Sequence, residues 1–169
     1  MSDWLKDILS KFFDYLIFWA LVNEYEGGVI LRNGKLHKIL PPGLHFKCPF
    51  IDVLLVANVK ADTLEVEPVT ITTLDAKNIS IGLMIDYEVV DVIKFLLENN
   101  ESIGNMQHKS RGELSDFLEE KNWIDIKKKT TKNALKNRLS DQYEKLGVKI
   151  NDLRFTNKVE CRVYKVFNR

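Results

Sequence analysis

From Ile79 to Val89 the chain alternates without a break, with Ile79, Ile81, Leu83, Ile85, Tyr87 and Val89 on one side and Ser80, Gly82, Met84, Asp86 and Glu88 on the other. Successive side chains of a strand point to opposite faces, so this period of two predicts a long strand with one apolar face and one more polar face. A face of that length has to be covered, and helices packed on one side of an antiparallel sheet are the cover it predicts. The following sequence supplies them. Asp91 is placed to cap a short helix carrying Ile93, Leu96 and Leu97, and a second helix around residues 111 to 121 presents Leu114, Phe117 and Leu118. Asn122 with Asp125 three residues on resembles a capping box. The helix it opens gathers Ile126, Ala134, Leu135, Leu139, Tyr143 and Leu146 before Gly147 ends it. A last strand over about Val148 to Phe155 changes phase between Ile150 and Leu153, as a bulge or a change of partner would make it do. Val159, Val163, Val166 and Phe167 then recur at helical spacing, which predicts a short terminal helix over 158–169, the start of a stalk.

The strands upstream are shorter. Val29 to Arg32 and Lys35 to Ile39 flank Asn33-Gly34, the pair that best tolerates the positive φ angles of a two-residue hairpin turn. Pro41-Pro42-Gly43 breaks the second strand, because proline cannot donate to a ladder. Further strands are expected at Leu44 to Lys47, Val53 to Ala57, Thr63 to Glu67 and Val69 to Thr72, with Asp62, Glu65 and Glu67 on a solvated face. The fold class is therefore α+β, with a β-rich first lobe and an α/β second lobe.

The first 22 residues stand apart. Trp4, Leu5, Ile8, Leu9, Phe12, Phe13 and Leu16 recur at helical spacing, with Lys6, Asp7, Ser10, Lys11 and Asp14 between them. From Tyr15 to Val22, through Ile17, Phe18 and Trp19, the run is apolar throughout. A spanning helix needs about 20 mostly apolar residues, and reaching that length would put Lys11 and Asp14 into hydrocarbon, which is costly. A secretory signal fits poorly too, because the start is not basic and no small-residue cleavage site follows. An amphipathic helix lying in a membrane interface fits better, and a helix of the protein core is the alternative.

Charge and side-chain chemistry narrow the function. Twenty-five Lys and Arg against 24 Asp and Glu leave a formal charge of +1, which offers no counterion-release drive toward nucleic acid. Cys48 and Cys161 are far apart and make no metal or disulfide spacing. No nucleophile elbow, phosphate-binding glycine loop or paired-histidine metal helix occurs, so no enzyme class and no cofactor is indicated. His45 and Cys48 are the nearest approach to a ligand pair, and two ligands make a weak site; His37 and His108 add nothing to it. Lys127-Lys128-Lys129 reads first as the solvent side of a helix and second as a contact surface for phosphates.

The order of these features resembles a known family. Gly27-Gly28-Val29-Ile30-Leu31-Arg32-Asn33-Gly34, then Pro42-Gly43-Leu44-His45-Phe46 and Pro49-Phe50-Ile51-Asp52, is similar to the opening of the stomatin/prohibitin/flotillin domain, the SPFH or band 7 domain. Thr72 to Ile81, Tyr87-Glu88-Val89 with Asp91, and Gly147-Val148-Lys149-Ile150 continue the resemblance over roughly residues 24 to 157. Two departures are visible: Asn99 to Ser110 is unlike the alanine-rich helix usual there, and no long coiled coil follows.

The resemblance implies a membrane-associated oligomeric scaffold, not an enzyme, that organises a membrane microdomain or regulates a membrane protein or protease complex. A small adaptor that inserts into a longer assembly of the same family is the alternative. Three segments follow: a membrane-associated helix over 1–23, the domain over 24–157, and the terminal helix over 158–169. The expected partners are membrane lipids, further copies of the chain in a ring, and a membrane protease or another family member, with no nucleic acid, at the cytoplasmic face of the plasma or inner membrane. Lipid contact is assigned to residues 2 to 22, and by resemblance to Phe46, Phe50 and Ile51. Contact between copies is assigned to Lys127, Lys128, Lys132 and Lys136 meeting Glu119 and Glu120, and to Val163 and Phe167. The same charges have the alternative of pairing within one subunit.

Overall fold

A computed structural model of the chain describes residues 4, 7, 18–98 and 102–161. It divides after Lys60 into two compact units.

The first unit holds five strands. β1 (Trp19–Val22) pairs antiparallel with β4 (Gly43–Phe46), and β2 (Glu26–Arg32) lies between β3 (Lys35–Leu40) and β5 (Asp52–Asn58). Asn33 and Gly34 both have positive φ, 50° and 76°, the backbone of the type I′ turn expected between β2 and β3. Ala20 and Val22 of β1 are buried with Ile30 and Leu40, and Leu54 packs against them. Gly28 makes this close approach possible, since a Cβ there would lie 3.0 Å from Val22 Cγ2.

Trp19 to Val22 is thus a strand and not the end of an interfacial helix. An unbroken apolar run carries no period of its own, so it fits a strand and a helix equally well. The pairing with β4 decides, turning Trp19 and Leu21 outward and Ala20 and Val22 into the core. Ala20 and Val22 are therefore removed from the expected lipid contacts.

In the second unit β7 (Asn78–Val89) runs between β6 (Asp62–Thr72) and β8 (Val148–Cys161), antiparallel to both. All six apolar residues of its alternation are buried. The two short strands expected at Thr63 to Glu67 and Val69 to Thr72 form one strand interrupted by a bulge, in which Glu67 and Pro68 oppose Gly82. Proline suits a bulge because no ladder donor is needed there. The phase change in β8 is a bulge at Asn151. A second bulge sets Asn157 and Lys158 against Ile81, after which Val159 pairs with Ser80 and Cys161 with Asn78. Lys158 to Cys161 are therefore strand and not the start of a helix; pairing to β7 outweighs the helical spacing of the tail, whose remaining positions lie outside the described residues.

The helical cover begins with Asp91, whose Oδ1 accepts from the backbone N–H groups of Ile93 (3.1 Å) and Lys94 (3.2 Å) ahead of a π-helical turn over Lys94–Glu98. α1 (Ser102–Glu119) starts well before the expected position and packs against β6. The long helix expected after Asn122 is two helices, α2 (Trp123–Ile126) and α3 (Lys129–Glu144), separated at Lys127 and Lys128. The Asn122 side chain does not cap α2; the Asp125 N–H donates to the Asn122 carbonyl at 3.0 Å, and Asp75 on the β6–β7 turn accepts the Trp123 N–H at 3.1 Å. α3 packs against β8 with Thr131, Leu135, Leu139 and Tyr143 buried at four-residue intervals. Ser110 of α1 and Tyr143 of α3 share a hydrogen bond in the core, and burial pushes the Tyr143 phenol up to about 12. Gly147, with φ of 74°, ends the helical stretch as expected. Its carbonyl accepts from Val90 (2.9 Å) and Asp91 (3.0 Å), which ties the end of α3 to the end of β7.

Candidate functional site

The β1–β4 pair carries an uncovered apolar face. Directly opposed residues of antiparallel strands share a face, and the register sets Trp19 against Phe46 and Leu21 against Leu44. These four side chains are 58 to 62% exposed. Phe18 stacks on Phe46 with ring centroids 5.9 Å apart, and Trp19 meets the same ring edge-on at 5.8 Å. The Lys47 N–H donates to the Phe18 carbonyl at 2.7 Å, extending the ladder toward the loop beyond. That loop adds Phe50, 75% exposed with φ of 74°, and Ile51. Single exposed apolar residues are ordinary, whereas contiguous aromatic ones mark a contact surface.

A buried carboxylate holds the loop. Arg32 grips Asp52 with two bonds, Nε to Oδ1 at 2.7 Å and Nη2 to Oδ2 at 2.8 Å. Asp52 Oδ2 also accepts the Cys48 N–H at 2.8 Å, and the Cys48 carbonyl accepts the Asp52 N–H at 3.1 Å. The Asn33 N–H donates to the Ile51 carbonyl at 3.0 Å, so the β2–β3 turn braces the other end. The Arg32 bonds first, and the Cys48 N–H second, hold the Asp52 carboxyl far below its ordinary 3.8. A carboxylate shifted down contributes stability that is present above its unfolded-state pKa and lost as the pH falls toward the folded value. Stability of the first unit should therefore decline below about pH 4. In denaturant titrations at a series of pH values, Asp52→Asn should weaken the unit near neutrality and flatten this acid limb; an unchanged limb would remove Asp52 as its cause.

The remaining expected residues fall into three groups. Trp4 is exposed, whereas Leu5, Ile8, Leu9, Phe12, Phe13, Leu16 and Ile17, with Val163 and Phe167, lie outside the described residues. Among the described residues no helix is long and apolar enough to cross a membrane. Of the lysines, Lys128 pairs with Asp125 at 2.6 Å, Lys132 with Asp152 at 2.9 Å, and Lys136 donates to the Asn151 carbonyl at 2.6 Å, all within the chain. Lys127 lies over the Trp123 ring, 4.6 Å from its centre. Glu119 accepts from Ser115, and it and Glu120 are exposed at the end of α1. The structure thus brings none of these lysines onto Glu119 or Glu120. His45 donates to the Pro41 carbonyl, and Cys48 lies 3.8 Å from Arg32 Nη2; among the described residues no three His, Cys, Asp or Glu side chains are grouped as metal ligands. Leu44 was not singled out by sequence reasoning, although its alternation with Phe46 across His45 was the available signal.

The profile of the SPFH domain / Band 7 family matches residues 20–163. An uncharacterized protein of Methanocaldococcus jannaschii is 33% identical over 79 residues, 47% of this chain and 40% of its own length. Protein HflC of Buchnera aphidicola is 32% identical over 88 residues, covering 48% of this chain and 27% of that protein. The modulator of FtsH protease HflC of Escherichia coli is 27% identical over 84 residues, 46% of this chain and 25% of the relative. The chain thus matches less than half the length of each of these relatives.

Proposed function

This chain belongs to the SPFH domain / Band 7 family, and from that premise we propose that it is a membrane-associated, self-associating scaffold that regulates a membrane protease complex. The observation that carries the reading is the aromatic face of the β1–β4 pair, where Trp19, Leu21, Leu44 and Phe46 stand together in contact with solvent. Covering such side chains with lipid is worth about 1.5–3 kcal/mol each when burial is complete. The amphipathic pattern upstream supplies a second contact, at the cytoplasmic face in this reading. A relative named as a modulator of FtsH protease supports the choice of a protease complex as the client. Copies associate side by side through the helical unit into a ring whose N-termini share one membrane face. Glu119 and Glu120, which have no ion-pair partner among the described residues, set the register.

Flotation with vesicles of uncharged phosphatidylcholine tests the reading. The full chain should float with the lipid and stay there in high salt, because apolar burial is not screened. Detergent extracts should then contain particles well above the 19.6 kDa of one chain. Release by salt alone, or an extracted monomer, would overturn the corresponding half of the proposal.

A further inference from the structure

A second surface, in the helical unit, carries a chemistry that the membrane reading does not use. Lys127, Lys128, Lys129, Lys132, Arg154 and Lys158 line one open cleft, together with the apolar Ile126 and Phe155. Carboxylates of the same chain answer half of these charges: Asp125 pairs with Lys128, Asp152 with Lys132, and Asp86 with Arg154. Lys127, Lys129 and Lys158 have no carboxylate partner among the described residues. Lys127 and Lys158 rest over the Trp123 and Phe155 rings, at 4.6 and 5.1 Å. The first turn of α3 holds no acidic residue, and its N-cap, Lys128, makes no side-chain cap, so cations crowd the end of the helix where the backbone dipole is already positive.

The cleft also has a defined place in the sheet. Arg154 and Phe155 are neighbours in β8 and point to opposite faces, so a cleft lined by both wraps the edge of the strand. Among the described residues β8 is the edge of its sheet, paired only to β7, and its backbone groups from Leu153 onward enter none of their turn or loop backbone bonds. An open edge is a template for one more strand, and lysines along it set which strand is admitted.

We propose that this edge is a docking site for an extended, acidic segment of a partner protein, which adds to β8 as a fourth strand and sets its carboxylates against Lys127, Lys129 and Lys158. A concave cleft beside an unpaired backbone fits an extended chain, whereas a lipid surface would meet a flat or convex patch. An acidic helical face, such as the end of α1, has no backbone groups to offer the edge.

A fluorescein-labelled peptide of alternating glutamate and valine serves as the probe, with the full chain held in a detergent of uncharged headgroup. Fluorescence anisotropy should show binding that weakens with added salt. A matched peptide of alternating lysine and valine should not bind. Three charge reversals, Lys127→Glu, Lys129→Glu and Lys158→Glu, should lower the affinity at least about tenfold, with the circular dichroism spectrum unchanged. The milder Lys129→Gln should give a smaller loss in the same direction if the triple variant does not fold. Replacing the valines by proline keeps the charge, removes every second backbone donor and, through the fixed proline φ and the restriction on each preceding glutamate, disfavours a paired strand, so this peptide should bind much more weakly. Equal binding of the proline peptide would overturn the added strand. No binding of the glutamate peptide, with phosphatidylserine vesicles responding to Lys129→Gln in its place, would overturn the proposal in favour of a lipid contact.

Discussion

Gly147→Ala is expected to destabilise the helical unit by about 2–5 kcal/mol, a large share of the roughly 5–15 kcal/mol that holds a domain together. A residue with a side chain costs about 1–2 kcal/mol in the left-handed region, and Gly147 has φ of 74°. There is also no room. A Cβ would collide with the Asp91 carbonyl oxygen and stand 3.0 Å from the Cβ atoms of Asp91 and Lys94. None of these is the yielding end of a long side chain, so the backbone has to move. Movement loosens the bonds from Val90 and Asp91 to the Gly147 carbonyl, each worth about 0.5–1.5 kcal/mol. Urea denaturation followed by far-ultraviolet circular dichroism should show the midpoint falling with little change in slope. Gly112 provides the control. A Cβ there meets nothing within 4 Å and its site is helical, so Gly112→Ala should raise stability by about 0.5–1 kcal/mol. Equal midpoints for Gly147→Ala and the parent would show that the junction tolerates a side chain.

The second large effect is expected at the membrane. In a chain beginning at Phe18, so that the amphipathic sequence upstream cannot mask the result, Trp19→Glu combined with Phe46→Glu should lower vesicle partition at least about a hundredfold. Two aromatic side chains lose about 1.5–3 kcal/mol each, and each tenfold change in partition corresponds to about 1.4 kcal/mol. The truncation point matters. Cutting after Val22 would strip Ala20 and Val22 from the core of the first unit and confuse unfolding with release. Leu36→Glu, at an exposed apolar position of β3, should leave partition close to the parent value. If the Trp19 and Phe46 variant floats as well as its parent, the β1–β4 face is not the lipid contact.

How far the sequence foretold this arrangement depends on how local the deciding interactions are. The alternation of β7 specified its buried face residue by residue, and Asn33-Gly34 and Gly147 each marked a backbone shape that few other residues adopt. The misreadings arose where pairing with a distant segment overrules local spacing. Trp19 to Val22 becomes a strand because Gly43 to Phe46 comes to meet it, and Lys158 to Cys161 because Asn78 to Ser80 does. The charges behaved in the same way. Asp152 is 20 residues from Lys132 and Asp52 is 20 from Arg32, and no periodicity links either pair. The Asn122–Asp125 pattern resembled a capping box, yet the Asn122 side chain makes no cap: the Asp125 N–H donates to the Asn122 carbonyl, and the Trp123 N–H goes to Asp75, 48 residues away. At the candidate site, Trp19 was legible from the apolar run Tyr15 to Val22, whereas Phe46, Phe50 and Ile51 followed from the family resemblance. Leu44 and the common face it shares with Leu21 needed the register.

The ring contacts of Phe18, Trp19 and Phe46 bear on the entropy of insertion. Ordering a rotamer-rich side chain at an interface costs about 0.5–1.5 kcal/mol, and a surface of freely turning side chains meets that cost when it is covered. Here the Phe46 ring already meets two others, stacked at 13° with Phe18 and edge-on at 84° with Trp19. Their freedom is restricted before lipid arrives. If the face is the lipid contact proposed above, most of the transfer free energy of these three rings is available for attachment, and the face would enter a bilayer as a rigid wedge in one orientation.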